Sequence, residues 1–320
     1  MSNLTGKNIL VTGATGLVGS HVVEQLLALK PGRLVGLVRS ADPRSYFSTQ
    51  GLGSKMILAD GDLKDKERIF DIVTKYEVDY IFHIAAQAIV GTAFVNPYET
   101  LVSNIMGTVH VLEAARLSSR IQGVIVASSD KAYGKDCVDA EESQPLAGDH
   151  PYDVSKSCTD LIALMYAKTY GLPVAVSRFG NIFGPGDTNE NRIIPGIMKA
   201  AITGETLSVR SDGTFIRDYV FVKDVAKGYI MLAEQIEKAK GQAFNFSTGY
   251  NFSVLDLIAK VGDLLKTKVE YQIVNNQKNE IPEQSLNYTK AEAVLGWKPD
   301  YTLEQAVSET FAWYQIYFKT

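Results

Sequence analysis

Short apolar runs rich in β-branched residues alternate with helical stretches from Asn8 to Arg178, and this alternation most restricts the fold. The runs are NILVTG, RLVGLV, KMILAD, DYIFHIAA, GVIVASS and PVAVSR, with stretches such as SHVVEQLLAL and DKERIFDIVTKY between them. Strands joined through helices pair in parallel, and the helices cover both faces of the sheet. The sequence therefore predicts an α/β fold with a doubly wound parallel sheet.

The alternation ends after Arg178, where Gly and Pro cluster in FGNIFGPGD. A later apolar run, AFNFSTG, is suited to return to the sheet. These features predict two domains. A nucleotide-binding domain takes residues 1–178 plus about 221–249, and a second, smaller mixed α/β substrate domain takes residues 179–220 plus about 250–320.

Composition excludes several classes of protein. Of the 320 residues, 46% are apolar, which supplies a large core, and the net charge of −4 offers no basic surface for nucleic acid or anionic lipid. The four histidines are scattered, and Cys137 and Cys158 lack metal-ligand spacing. No secretory leader or 18-residue apolar span is present. We expect a cytoplasmic protein without metal, membrane or nucleic-acid partner.

Three glycines, Gly13, Gly16 and Gly19, follow the first apolar run and precede a helical stretch in VTGATGLVGSHVVEQLL. Glycines at this position permit a tight turn and bring the backbone and a helix N-terminus close to a pyrophosphate. This pattern predicts a Rossmann domain that binds a dinucleotide. The alternative is a turn with only a structural role.

The end of the second run indicates which dinucleotide binds. Arg39 and Ser40 stand where an acidic residue would bond the adenosine ribose, and an arginine suits a 2′-phosphate, so NADP is favoured over NAD. An arginine that stacks on adenine or faces water is the alternative. Asp62 and Leu63 in GDLKD are suited to contact the adenine, although the segment also fits an ordinary turn.

Tyr152 and Lys156 lie four residues apart at the start of a predicted helix and project from one face. A cation near a phenol favours the phenolate, so Tyr152 is a candidate base near neutral pH. The same ammonium is suited to hold a nicotinamide ribose. Ser128 and Ser129 follow the preceding apolar run and complete the candidate set.

Together, these motifs resemble the extended short-chain dehydrogenase/reductase family. The likeness covers nearly the whole chain, through VTGATGLVG, HIAAQA, SNIMGT, SSDKAYG, YDVSK, RFGNIFGPGD, RDYVFVKDV and LGWKP. Within the family, the chain is most similar to nucleotide-sugar 4,6-dehydratases of the CDP-glucose and GDP-mannose kind. The resemblance implies conversion of a nucleotide-diphosphate hexose to its 4-keto-6-deoxy form through bound NADP or NAD.

The resemblance also implies residue roles. Ser129, Tyr152 and Lys156 match the catalytic triad, with Ser128 as the alternative serine. Asp130 is the implied acid and Lys131, when neutral, the implied base at C5, whereas an isolated Asp-Lys pair is usually a surface ion pair. The implied cofactor-binding positions are Gly13, Thr15, Gly16, Leu17, Gly19, Arg39, Ser40, Asp62, Leu63, Ala85, Ala86, Gln87, Asn104, Tyr152 and Lys156. His83 and Asn104 also fit a structural role.

The implied substrate positions are Gln87, Asn181, Arg192, Arg217 and Tyr288. Arginine forks suit a diphosphate, although Arg192 also fits a pairing role within the fold. Nothing in these segments identifies the nucleotide base. In the family that the chain resembles, the helical stretches that match residues 97–117 and 153–170 often pair across a two-fold axis, which implies a homodimer. Apolar Leu161, Leu164 and Met165 are suited to such an interface, with burial inside the monomer as the alternative. A nucleotide-sugar 4-epimerase and a non-catalytic NADP-binding regulatory protein remain competing interpretations.

Overall fold

A computed structural model describes residues 2–135, 137–275 and 281–319. The strands in chain order are β1 (Asn8–Thr12), β2 (Arg33–Val38), β3 (Ile57–Asp60), β4 (Tyr80–His83), β5 (Gly123–Ala127), β6 (Cys137–Ala140), β7 (Val174–Phe179), β8 (Asn181–Phe183), β9 (Leu207–Val209), β10 (Ile216–Phe221), β11 (Gln242–Phe246), β12 (Asn251–Ser253), β13 (Tyr271–Ile273) and β14 (Glu283–Leu286).

The helices are α1 (Leu17–Ala28), α2 (Tyr46–Thr49), α3 (Lys66–Lys75), α4 (Val90–Val95), α5 (Pro97–Leu101), α6 (Gly107–Leu117), α7 (Pro151–Tyr170), α8 (Ile193–Thr203), α9 (Val222–Glu234), α10 (Ile236–Ala239), α11 (Val254–Leu265), α12 (Thr289–Leu295) and α13 (Leu303–Tyr317). A π-helical turn, Val102–Met106, joins α5 to α6, and 3₁₀ turns span Leu52–Lys55 and Asp130–Tyr133.

Seven parallel strands form the main sheet in the order β11-β7-β5-β4-β1-β2-β3. Both faces are buried, because successive residues of β1 enter different clusters: Ile9 and Val11 pack in one, and Leu10 packs in the other. The predicted fold class is confirmed. Strand order reverses direction between β1 and β4, and in such sheets ligands bind beyond the carboxyl ends of the strands at this point.

A smaller sheet takes the order β12-β10-β14-β6, with β8 pairing β10, and β9 pairs β13 separately. Strands β8, β9 and β10 and the helices α8, α11 and α13 enclose a third apolar cluster, and β6 and β14 contribute to a small fourth one. Strand β6 belongs to this sheet although it lies within residues 1–178, while β11 joins the main sheet from within 221–249. The chain therefore crosses between the two sheets more often than the proposed division requires.

Candidate active site

The glycine loop connects β1 to α1 and shapes a cradle for a phosphate group. A Cβ at Gly19 would lie 2.0 Å from the carbonyl oxygen of Gly13, and Gly13 itself has φ +75° and abuts Ala85. Helix α1 begins after Gly16 without a side-chain cap, so backbone N–H groups of its first turn are the local donors. This cradle fits the pyrophosphate of a dinucleotide.

Arg39 and Ser40 follow β2 directly, and Asp62 and Leu63 follow β3. The Arg39 side chain is 69% exposed and its Nη1 lies 3.5 Å from Asp62 Oδ2, while Thr15 Oγ1 donates to the Ser40 carbonyl at 3.0 Å. Asp62 Oδ1 accepts the backbone N–H of Lys64, as in the turn alternative. The structure thus brings the predicted adenosine-end residues to one edge of the crevice.

Residues 85–87 follow β4, and the side chain of Asn104, in the π-helical turn, binds the backbone of this segment at Gln87. Asn104 Oδ1 accepts the backbone N–H of Gln87 at 2.7 Å, and its Nδ2 donates to the Gln87 carbonyl and to Ser155 Oγ. His83 is buried, and its two ring nitrogens form hydrogen bonds with Thr12 Oγ1 and Thr108 Oγ1. Burial lowers the His83 pKa to about 3, so this histidine is neutral. Both side chains act structurally in this arrangement, and the cofactor contact of Asn104 stays a prediction.

The carboxyl end of β5 and the start of α7 bring the candidate triad together. Ser129 is buried and hydrogen-bonded to the phenol of Tyr152. Lys156 Nζ donates to the Ala127 carbonyl at 2.7 Å and lies 6.0 Å from the centre of the Tyr152 ring. Ser128 is equally buried, but its backbone N–H donates to the Ser177 carbonyl and its Oγ lies 3.5 Å from the Lys156 carbonyl. The geometry favours Ser129 over Ser128.

The protonation of Tyr152 differs from the sequence-based expectation. Burial and the neighbouring Asp130 charge raise the Tyr152 pKa to about 12, although the Ser129 hydrogen bond and Arg192 oppose them. Burial lowers the Lys156 pKa to about 8, against the opposing charge of Asp160. The phenol is therefore protonated at neutral pH, because desolvation and the Asp130 charge outweigh the opposing effects of Ser129 and Arg192.

Asp130 and Lys131 form an ion pair in which the carboxylate is buried and the amine partly buried, unlike a pair on the open surface. Their side chains are 4% and 19% exposed, and Lys131 Nζ lies 3.3 Å from Asp130 Oδ2. Ser129 Oγ donates to Asp130 Oδ1 at 2.8 Å and accepts the backbone N–H of Lys131. One serine therefore connects the pair to Tyr152, and the amine of Lys131 also donates to Gln284 Oε1.

The predicted substrate residues lie on different elements. Asn181 begins β8, and its buried Nδ2 has no hydrogen-bond partner among the described residues, as expected of an atom that a ligand completes. Arg192 caps the start of α8 and pairs with Asp187 at 3.1 Å. Arg217 is half-buried on β10. Tyr288 packs edge-on against Trp297 in the main core, so its contact with a nucleotide base stays a prediction.

Three further polar residues lie near Asp130 and Lys131 and were not predicted as site residues from the sequence. Gln284 contacts Lys131 from the second sheet. Burial raises the pKa of Asp153 to about 6 and that of Asp218 to about 7, and the Asp130 charge adds to both shifts. Asp218 and Asp153 lie within the motifs RDY and YDVSK, which could have drawn attention to them, whereas Gln284 lies in no motif.

The described residues contain no group of three or more His, Cys, Asp or Glu side chains arranged to hold a metal ion. No helix in residues 2–135, 137–275 or 281–319 is long and apolar enough to cross a membrane.

Comparison with known proteins identifies relatives of both predicted types. A sequence model of the NAD dependent epimerase/dehydratase family matches residues 9–247. The CDP-glucose 4,6-dehydratase of Salmonella typhimurium is 29% identical over 338 residues, covering 98% of this chain and 92% of its own length. The chain spans about half the length of trifunctional Arabidopsis thaliana relatives, whose names begin with UDP-glucose 4,6-dehydratase and to which it is 28% identical over 98% of the chain.

Two solved structures share the fold along their full length. UDP-glucose 4-epimerase from Thermotoga maritima, solved with UDP-glucose, has a TM-score of 0.89 at 27% identity, covering 97% of this chain and 99% of the other. dTDP-glucose 4,6-dehydratase from Bacillus anthracis, in complex with NAD, has a TM-score of 0.84 at 26% identity, covering 97% of each chain. Fold similarity alone therefore does not separate the two activities.

Proposed function

Because this chain belongs to the NAD dependent epimerase/dehydratase family, we propose that it is a nucleotide-sugar 4,6-dehydratase. It converts a nucleotide-diphosphate hexose to the 4-keto-6-deoxy sugar and releases one water. The contact between buried Asp130 and partly buried Lys131, next to Ser129, carries this proposal, since a 4-epimerase needs no acid and base beyond the triad.

A bound nicotinamide cofactor would supply the hydride chemistry, by accepting a hydride from C4 of the sugar and donating it to C6. The glycine cradle between β1 and α1 would hold its pyrophosphate, and Lys156 would hold the nicotinamide ribose. Ser129 donates a hydrogen bond to the C4 oxygen, and Tyr152, as phenolate, takes the C4 hydroxyl proton. Since the Tyr152 pKa is about 12, the phenolate fraction rises with pH, and the rate of C4 oxidation should rise with it.

The elimination belongs to Asp130 and Lys131. The C4 ketone acidifies the C5 proton, which passes to the neutral amine of Lys131. The C5–H electron pair forms the C5–C6 double bond as the C6–O bond breaks, and the proton of Asp130 leaves with that oxygen as water.

We assign three finer properties to the same protein. The exposed Arg39 after β2 supports NADP as the preferred cofactor. Exposed apolar side chains on α4, α5 and α7 support a homodimer. The composition and the single scattered cysteines support a cytoplasmic location.

The test incubates the purified protein with CDP-glucose, UDP-glucose, dTDP-glucose and GDP-mannose and measures the mass of the products. We expect loss of one water from one or more of these sugars. Asp130→Asn and Lys131→Met should each slow water loss by about 100- to 10,000-fold. The control is Lys135→Met, which removes the exposed ion pair with Asp149 and should leave the rate unchanged.

The outcome also decides on the competing activity. The high structural similarity to the Thermotoga maritima 4-epimerase makes C4 inversion the second candidate. Inversion at C4 without loss of water would replace the dehydratase assignment with that one. Equal rates for wild type and both pair variants would remove Asp130 and Lys131 from the mechanism.

A further inference from the structure

Gln284 reaches the elimination pair from a distant part of the chain. It lies on β14, where it pairs in register with Arg217 of β10 and with Cys137 of β6. Its side chain is 1% exposed, and its Oε1 accepts a hydrogen bond from Lys131 Nζ across 153 residues of sequence. A buried carboxamide in contact with a candidate base therefore comes from the second sheet.

The described residues 2–135, 137–275 and 281–319 give Lys131 Nζ two acceptors, Asp130 and Gln284. A neutral amine has two N–H bonds and one lone pair. When these acceptors take both N–H bonds, the lone pair points away from them and is left for the C5 proton. An ammonium would instead present a third N–H in that direction, which cannot accept a proton.

We propose that Gln284 is a positioning residue that orients the amine of Lys131 toward C5 of the sugar. This inference rests on the proposed dehydratase function. Because the carboxamide is uncharged, it directs an N–H bond with less stabilisation of the ammonium than a second carboxylate would give. The second sheet thereby contributes to the elimination and not only to holding the nucleotide.

Other titratable groups act on the pair and must be considered in any pH test. Asp130 on the 3₁₀ turn, Asp153 on α7 and Cys137 on β6 interact electrostatically with Lys131. Asp218 on β10 and Tyr152 on α7 interact with Asp130. All are present in the wild type and in every Gln284 variant, so comparison between variants isolates the effect of residue 284.

The amide nitrogen of Gln284 gives independent support for this role. Its Nε2 is buried and has no hydrogen-bond partner among the described residues. An unsatisfied buried donor destabilises the folded state, so an apolar side chain in place of a carboxamide with only a structural role would make the protein more stable. The contact with Lys131 is the one compensating interaction that the described residues provide.

The experiment follows exchange of the C5 proton with deuterium in the 4-keto-6-deoxy product of the nucleotide sugar that the wild type dehydrates, beginning with CDP-glucose. This exchange needs the base but no hydride transfer, and NMR detects it. Gln284→Leu should slow exchange by about 10- to 100-fold, the scale of a misplaced catalytic group. C4 oxidation in the first turnover and the KM for the nucleotide sugar should stay within about two-fold of wild type.

Two more variants make the test specific. Gln284→Glu keeps the acceptor but adds an anion that favours the ammonium, so exchange should recover at higher pH, with its rise displaced upward from that of the wild type. Ser285→Ala is the matched control. Ser285 is the next residue on β14, but its hydroxyl accepts the backbone N–H of Asp139 and forms no hydrogen bond with Lys131 in the part of the chain that the structure describes. It should exchange C5 at the wild-type rate.

Each result has one interpretation. If Gln284→Leu exchanges at the wild-type rate, or if it loses C4 oxidation as much as exchange, the positioning role is wrong while the dehydratase function stands. If Gln284→Leu does not fold, an unshifted pH profile for Gln284→Glu overturns the proposal. If the wild type neither loses water nor exchanges C5, the proposed function itself is wrong.

Discussion

At the scale of single residues, burial changes the acid-base properties that the sequence suggested. Lys156 is 4% exposed, and its pKa falls to about 8 because the charged amine is desolvated. Tyr152 shifts in the opposite sense, since burial and Asp130 disfavour its anion. Near neutral pH the phenol is therefore protonated, and added positive charge or a rise in pH favours the phenolate.

The lowered pKa of Lys156 predicts a cost in stability. Between about pH 8 and 10.5 the unfolded chain binds a proton that the folded chain does not, so stability rises with pH across this window. Each change of one in pKa corresponds to about 1.4 kcal/mol. Lys156→Met should therefore raise the free energy of unfolding at pH 7 by about 1–3 kcal/mol and abolish turnover.

Urea denaturation at several pH values between 7 and 9.5 measures this effect. The advantage of Lys156→Met over the wild type should shrink as the pH rises. A variant less stable than the wild type at pH 7 would show that the Nζ hydrogen bond to Ala127 outweighs the desolvation cost.

A second residue-scale prediction concerns Arg39. Its exposed guanidinium is placed to meet a 2′-phosphate, so Arg39→Asp should weaken NADP binding by about 10- to 100-fold and favour NAD relatively. Fluorescence titration with both cofactors gives the two dissociation constants. Arg44→Asp, at an exposed arginine five residues later, is the control. Tighter binding of NAD than of NADP by the wild type would contradict the expected preference.

At the scale of elements, α7 carries Tyr152 and Lys156 and is fixed to the sheet by a buried ion pair. Asp160, one turn after Lys156, receives two hydrogen bonds from Arg178 of β7, at 2.7 and 2.9 Å. Arg178 also donates to the Tyr133 hydroxyl at 2.6 Å. This contact connects α7 to the 3₁₀ turn that contains Asp130 and Lys131.

Removing one member of this pair should destabilise the whole domain. Asp160→Asn leaves the Arg178 charge buried without its partner, and we expect a loss of about 3–5 kcal/mol in the free energy of unfolding. The control is Glu113→Gln, which removes a partly exposed ion pair with Arg116 and should cost less than about 1 kcal/mol. Chemical denaturation measures both, and equal losses would show that the buried pair is not a special anchor.

At the scale of the whole molecule, apolar side chains are exposed on neighbouring helices. Phe94, Val95 and Tyr98 are 72%, 82% and 75% exposed on α4 and α5, which pack against α7. Leu161 and Met165, one turn apart on α7, are also exposed, whereas Leu164 packs against the core. The face has the character of a surface that a second copy of the chain covers.

Light scattering at micromolar concentration tests this prediction. The wild type should have the mass of a dimer, and the double variant Leu161→Glu, Met165→Glu should have that of a monomer, because burying two carboxylates in an apolar contact is strongly unfavourable. Leu58→Glu, at an exposed leucine on the edge strand β3, is the control. A monomeric wild type would end the dimer hypothesis.

The sequence by itself determined the features that depend on local pattern. Alternating apolar runs and helical stretches predicted the parallel sheet, and the spacing of Gly13, Gly16 and Gly19 predicted the turn into α1. The four-residue spacing of Tyr152 and Lys156 placed both on one face of α7, and adjacency placed Asp130 beside Lys131. Such patterns can be interpreted from the sequence because backbone geometry fixes how often side chains return to the same face of a helix or strand.

Only the tertiary structure decided the contacts between distant segments and the state of the charges. Gln284 meets Lys131, and β6 joins the second sheet, because β14 pairs with β6 across about half of the chain. The protonation of Tyr152 and Lys156 and the exposure of Leu161 but not Leu164 likewise depend on what packs around them. No local pattern encodes these properties, since desolvation and pairing arise only when separate segments exclude water together.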